Sequence, residues 1–145
     1  MIDGRDLTKE APRSANELLG GYKILARMID KCRATINGTN GEYNFNCGVD
    51  KMLEDFKGIN SEEFRQYVAS GASDEEILEW MNTHGVSKTD EEIKEWSDNV
   101  DPLDYGTRPG KEWFQKACQS LGLDPNTTSL FSELDADDKA SFQIS

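Results

Sequence analysis

The chain predicts an all-α fold: a single compact domain of about six to seven short helices, with one long N-terminal helix and a short extended segment near residues 42–46. Three observations predict it. Apolar residues recur mostly at steps of three and four rather than two. Glycine, proline and asparagine punctuate the periodic stretches. A length of 145 residues suits one domain, residues 1–145, able to bury roughly 70% of its unfolded surface.

Ser14 followed by Glu17 has the spacing of a capping box, so the first helix is expected from there. Leu18, Tyr22, Leu25, Ile29, Cys32 and Ile36 mark its apolar face, and Asn37-Gly38 ends it. Gly20-Gly21 weakens its first turns by about 1 kcal/mol per glycine relative to alanine, or delays the start. Tyr43 and Phe45 then alternate with polar residues, which reads as extended. Asn46 or Cys47 caps a second helix carrying Val49, Met52, Leu53 and Phe56, closed by Gly58.

Asn60 with Glu63 opens a short helix that buries Phe64, Tyr67 and Val68 and stops at Gly71. Ser73 and Glu76 form a capping box ahead of Ile77 and Trp80, and Thr89-Asp90-Glu91-Glu92-Ile93 repeats the pattern sixteen residues later. The acidic residues of both copies fall in the first turn, where the helix dipole favours them. Two copies do not make a solenoid. Residues 97–110 carry turn chemistry and mark a candidate sub-lobe break. Trp113, Phe114, Ala117, Cys118 and Leu121 form a helix ending at Gly122. Asp124-Pro125 opens a last helix through Leu130, Phe131 and Leu134, and Asp135-Ala136-Asp137-Asp138 reads as a solvated acidic turn. Trp80, Trp96 and Trp113 are expected in the core.

Charge excludes some functions. The chain carries 16 basic and 28 acidic residues, net −12. Residues 1–33 hold net +2, leaving −14 on the rest. A field of that sign repels phosphate backbones, so nucleic acid is disfavoured as a partner. No apolar run exceeds the three residues Ile24-Leu25-Ala26, so no membrane span is expected. The N-terminus mixes both charges without an apolar leader, and three cysteines with no C-x-x-C pair read as reduced thiols. A soluble cytoplasmic protein is expected.

Lys23, Arg27 and Lys31, spaced by four, stack along one side of the first helix. With Asp30 nearby and Arg13 upstream they make a candidate anion site, although a charge run of this kind is more often a solvated face. Tyr43, Asn46 and Cys47 form the second candidate group. A cysteine at a helix N-terminus can serve as a nucleophile, but nucleophilic catalysis wants a base, and the one histidine, His84, belongs to another helix. A buried thiol is the ordinary fate of such a cysteine, and Cys32 falls on the apolar face. Zinc spacings, a calcium loop and a phosphate loop are all missing, so neither metal nor cofactor is expected, with weak calcium or magnesium binding at Asp135-Ala136-Asp137-Asp138 the one alternative left open.

The run DLTKEAPRS…LLGGYKILARMIDKCRA…GEYNFNC…VD, from Asp6 to Asp50, is joined by SDEEILEW and a closing LGLDP…LFSELDADD. Together they resemble the bacterial family known as domain of unknown function 5069, over nearly the whole chain. The resemblance implies a small stand-alone bacterial protein and no particular activity. Gly48 stands where the family pattern has proline.

The expected function is a non-catalytic small-ligand or protein-binding regulatory module that uses the basic stripe of the first helix, its partner an unknown small anion or a protein. The alternatives are a small enzyme centred on Cys47 or on a carboxylate such as Asp30 or Asp50, and a helical adaptor with an acidic docking surface.

Overall fold

A computed structural model describes residues 1–142. Among them it contains seven α-helices and one 3₁₀ turn: α1 Leu25–Asn37, α2 Gly48–Lys57, α3 Ser61–Ala69, α4 Asp74–Thr83, α5 Asp90–Asn99, the turn Tyr105–Thr107, α6 Glu112–Ser120 and α7 Leu130–Phe142. No strand occurs among the described residues, and none of their helices is long and apolar enough to cross a membrane. Residues 42–46 form turns rather than an extended segment. The final residues, which the sequence leads one to expect to fray, lie outside those described.

The middle helices begin where their sequence says. Asn60 accepts from the backbone N–H groups of Glu62 and Glu63. Ser73 with Glu76, and Thr89 with Glu92, close complete capping boxes ahead of α4 and α5. Their inward residues, Phe64, Val68, Ile77, Trp80, Met81 and Ile93, join one cluster of buried side chains. That cluster also takes Phe114 and Cys118 from α6 and Leu130 and Phe131 from α7. Core side chains thus come from both sides of the 97–110 loop. Trp113 is the exception to its expected burial: it is 54% exposed while its neighbour Phe114 is fully buried.

The first helix departs most from expectation. Only the segment from Leu25 is helical, so α1 has 13 residues, the same length as α7, and is not one long element. Ahead of it Leu19 and Tyr22 form an isolated bridge, with Gly20 and Gly21 at φ 59° and 87° and Ile24 at φ 76°. Gly20 is required for packing as well as for φ, because a Cβ there would lie 2.3 Å from a Leu78 methyl carbon. Buried Ser97 of α5 secures this turn: its hydroxyl donates to the Gly21 carbonyl at 2.7 Å and accepts from the Lys23 N–H at 3.1 Å. Ser14 caps no helix; its hydroxyl donates instead to Asp135 of α7 at 2.7 Å. Leu18, placed on the apolar face by its spacing, is 60% exposed.

At the other end, Pro125 does not start a helix. It lies in a turn closed by Thr127 N–H to the Asp124 carbonyl, and α7 begins only at Leu130. Residues 135–138 are helical, not a solvated turn, and Asp138 is buried.

α1 packs on α2 and α3 and is covered nearly all round, with Leu25 through Cys32 and Ala34 buried. Its charged residues therefore cannot form a solvated edge. Burying a charge is costly unless an opposite charge meets it. Each buried charge of α1 has its own counter-charge: Arg27 meets Asp138 at 2.8 Å, Asp30 meets Arg13 at 3.0 Å, and Lys31 meets Asp50 at 2.9 Å. The reading of this charge run as a solvated face is corrected accordingly for Arg27 and Lys31, while Lys23, half-buried, lies ahead of α1.

Candidate functional site

Two of those ion pairs border a cavity of about 580 Å³ between α1, the loop leading into α2, and α7. Arg27, Lys31, Tyr43 and Cys47 all line it, and Leu7, Val49, Leu134 and Phe142 supply apolar wall. Four of the eight residues singled out in the sequence thus share one cavity. Two others, Arg13 and Asp30, line a different, more polar one with Arg33 and Asp74. Lys23 and Asn46 line neither.

The loop from Thr39 to Cys47 is pinned at several points. Thr39 receives the Leu7 N–H at 2.8 Å and donates its own to Ala34 at 2.8 Å. Asn40 and Tyr43 exchange two hydrogen bonds at 2.9 Å. Phe45 stacks on Phe64 at 6.0 Å between ring centroids. Gly41 passes so close to the Leu7 carbonyl that a Cβ would lie 2.8 Å from its oxygen. These contacts turn Tyr43 towards α7 and bring Cys47 to the N-cap of α2 without a side-chain capping bond.

On the α7 side, the Arg27 guanidinium donates to both Asp138 oxygens, at 2.8 and 3.3 Å, and the Tyr43 hydroxyl donates to Oδ1 of the same carboxylate at 2.8 Å. The guanidinium carbon lies 5.6 Å from the Tyr43 ring centroid. Burial, and then the bond to Asp138, push the Tyr43 phenol upward, so it stays a donor at neutral pH. Glu133, one turn before Asp137, is pushed up by burial and by its neighbours Asp137 and Asp138.

On the α2 side, Lys31 Nζ lies 3.1 Å from Cys47 Sγ and 2.9 Å from Asp50 Oδ1. Its aligned hydrogen bond goes to the sulfur; Asp50 Oδ1, wholly buried, is in ion-pair range but receives no aligned donor. Asp50 Oδ2 accepts the Asn46 N–H at 2.8 Å, which holds Asn46 at φ 63°. In its bonding orientation the Asn46 amide donates to both Glu54 oxygens, at 3.1 and 2.8 Å, and burial together with Asp50 pushes the Glu54 carboxyl up. Asn46 is thus occupied in supporting the start of α2.

The three thiols are free and differ in setting. Cys32 is in the core, and burial pushes it up to about 12. Cys118 is also buried and pushed up. Cys47 is half-buried and opens on the cavity. His84 stacks on Trp80 at 4.3 Å and bonds through Nδ1 to the Trp80 carbonyl; the polar partner of Cys47 is Lys31.

In the second cluster Arg13 bridges Asp30 and Asp74, and Arg33 adds a bond to Asp74 at 2.9 Å. Burial raises the Asp74 carboxyl, but Arg13 and Arg33 outweigh it and hold it below the usual carboxylate range. These arginines are committed to acidic partners and tie the N-terminal segment to α1 and α4.

Sequence reasoning did not assign Asp138, Leu134 or Phe142 to the site. Leu130, Leu134 and Asp138 recur at steps of four, a spacing that puts the carboxylate on the apolar face of a continuous helix. Among the described residues no group of three or more histidine, cysteine or acidic side chains could hold a metal ion.

A family model described as Domain of unknown function (DUF5069) matches residues 9–140. No curated protein matches the chain.

Proposed function

The chain belongs to that family, and we propose that it is a small-ligand binding module whose ligand occupies the cavity between α1, the 39–47 loop and α7. The observation that carries the reading is the convergence of Arg27, Lys31 and Tyr43 on one concave, partly apolar site. A compact molecule with one accepting group fits it: a carboxylate or carbonyl facing the cations, and an apolar body against Val49, Leu134 and Phe142. Because Asp138 and Asp50 already neutralise the two cations, charge alone does not draw the ligand in. An incoming anion must share Arg27 with Asp138, which favours a monoanion over a polyanion. A bacterial cytoplasmic setting belongs to the same reading, in keeping with three free thiols.

NMR titration of isotope-labelled protein with phenylacetate and phenylacetamide tests the proposal. Amide shifts should cluster on residues 27–31, 41–47 and 134–141. Ser141→Trp, which fills the cavity from an exposed position on α7, should abolish them. Shifts that scatter over the surface, or that survive this substitution, overturn the proposal.

A further inference from the structure

We infer that Cys47 is a site of oxidation to a sulfenic acid by small hydroperoxides, with Lys31 as its positioning residue. The inference shares the cavity described above but does not need a resident ligand there. Three observations converge. The sulfur opens on a cavity large enough for a hydroperoxide. A lysine only 3% exposed directs its aligned hydrogen bond at that sulfur, from 3.1 Å. Behind it, wholly buried Asp50 supplies the counter-charge that makes the ammonium's burial tolerable, yet takes no aligned bond from it. An ammonium held by a carboxylate and aimed at a thiol is more than structural pairing requires.

The chemistry balances without a cofactor. Sulfur attacks the outer peroxide oxygen; the S–O bond forms as the O–O bond breaks. Sulfur loses two electrons and the peroxide gains them. The proton lost by the thiol is matched by the one gained by the leaving alkoxide, and Lys31 is placed to deliver it. The products are a sulfenic acid at Cys47 and an alcohol, or water from hydrogen peroxide. Because Asp50 offsets the net charge of Lys31, what the lysine supplies is a directed N–H bond to the sulfur, which strengthens as the thiol gives up its proton during the attack. Cys32 and Cys118, buried away from such a donor, are internal controls.

The native protein is exposed briefly to hydrogen peroxide or cumene hydroperoxide, trapped with a dimedone probe and mapped by peptide mass spectrometry. Cys47 should be trapped at least ~10-fold faster than Cys32, Cys118 or free cysteine. Lys31→Met should lower that rate by ~10-fold, while Lys31→Arg, which keeps the charge, should retain most of it. A Cys47 rate no greater than that of free cysteine overturns the inference, as does a rate unchanged by Lys31→Met in protein that keeps its native circular dichroism. Should Lys31→Met fail to fold, the wild-type rate against free cysteine decides alone.

Discussion

Arg27 and Asp138 stand 111 residues apart and meet at 2.8 Å, each nearly withdrawn from water. This pair fastens the C-terminal helix to the central one, and Tyr43 adds a third hydrogen bond to the same carboxylate. The wall of the cavity therefore depends on a charge pair rather than on apolar contact alone.

Removing one partner should strand the other. Asp138→Ala and Arg27→Ala are each expected to cost about 3–5 kcal/mol, as for buried ion pairs broken on one side. The paired replacement Arg27→Met with Asp138→Leu should cost well below the sum of the two, because neither charge is left unmet. Urea denaturation of the three variants provides the comparison. Strict additivity would show that the pair is not coupled.

Glu133 and Asp74 should bend the stability profile in opposite directions. Glu133 titrates above its ordinary 4.5 in the folded chain, so folding retains a proton that the unfolded chain has released. Its contribution is full below 4.5 and fades as pH rises through the folded value. Glu133→Gln should therefore raise the urea midpoint at pH 7 and leave it nearly unchanged at low pH. Asp74 titrates below its ordinary 3.8, so its contribution is present above that value and disappears as pH falls through the folded one. Asp74→Asn should accordingly lower the midpoint at pH 7 and matter least in strong acid.

Ser97 closes both polar groups of the turn ahead of α1. Ser97→Ala leaves the Lys23 N–H and the Gly21 carbonyl without that partner, at a cost of about 1–3 kcal/mol. Hydrogen exchange at the Lys23 amide should accelerate selectively. Unchanged protection would show that the turn is held elsewhere.

Gly20→Ala combines left-handed backbone with a Cβ 2.3 Å from Leu78. A loss of about 1–3 kcal/mol is expected from the two together. Adding Leu78→Ala should recover the steric part and leave the backbone part, which thermal unfolding of the single and double variants would separate.

The starts of α3, α4 and α5 were legible because local chemistry decides them. An asparagine, serine or threonine oxygen satisfies backbone donors two or three residues away, and no distant partner is needed. Ser14 shows the limit of that reasoning. It has the same motif, yet the buried turn over Gly20-Gly21 and the hydroxyl of Ser97 set the start of α1 eleven residues later. The identity of the cavity residues was half legible. Spacing placed Arg27 and Lys31 on one helix side, and the loop pattern marked Tyr43 and Cys47.

All-helical character, the caps of the middle helices and the polar-aromatic loop follow from amino-acid order, since each rests on interactions within a few residues. Whether the cations of α1 face water was settled by the packed chain. The α1 segment from Leu25 to Cys32, covered by neighbouring elements, has no wet side, and desolvation obliges Arg27, Asp30 and Lys31 each to find a counter-charge from a remote segment. Asp50 and Asp138 meet that demand across 19 and 111 residues of chain, beyond the reach of any periodicity.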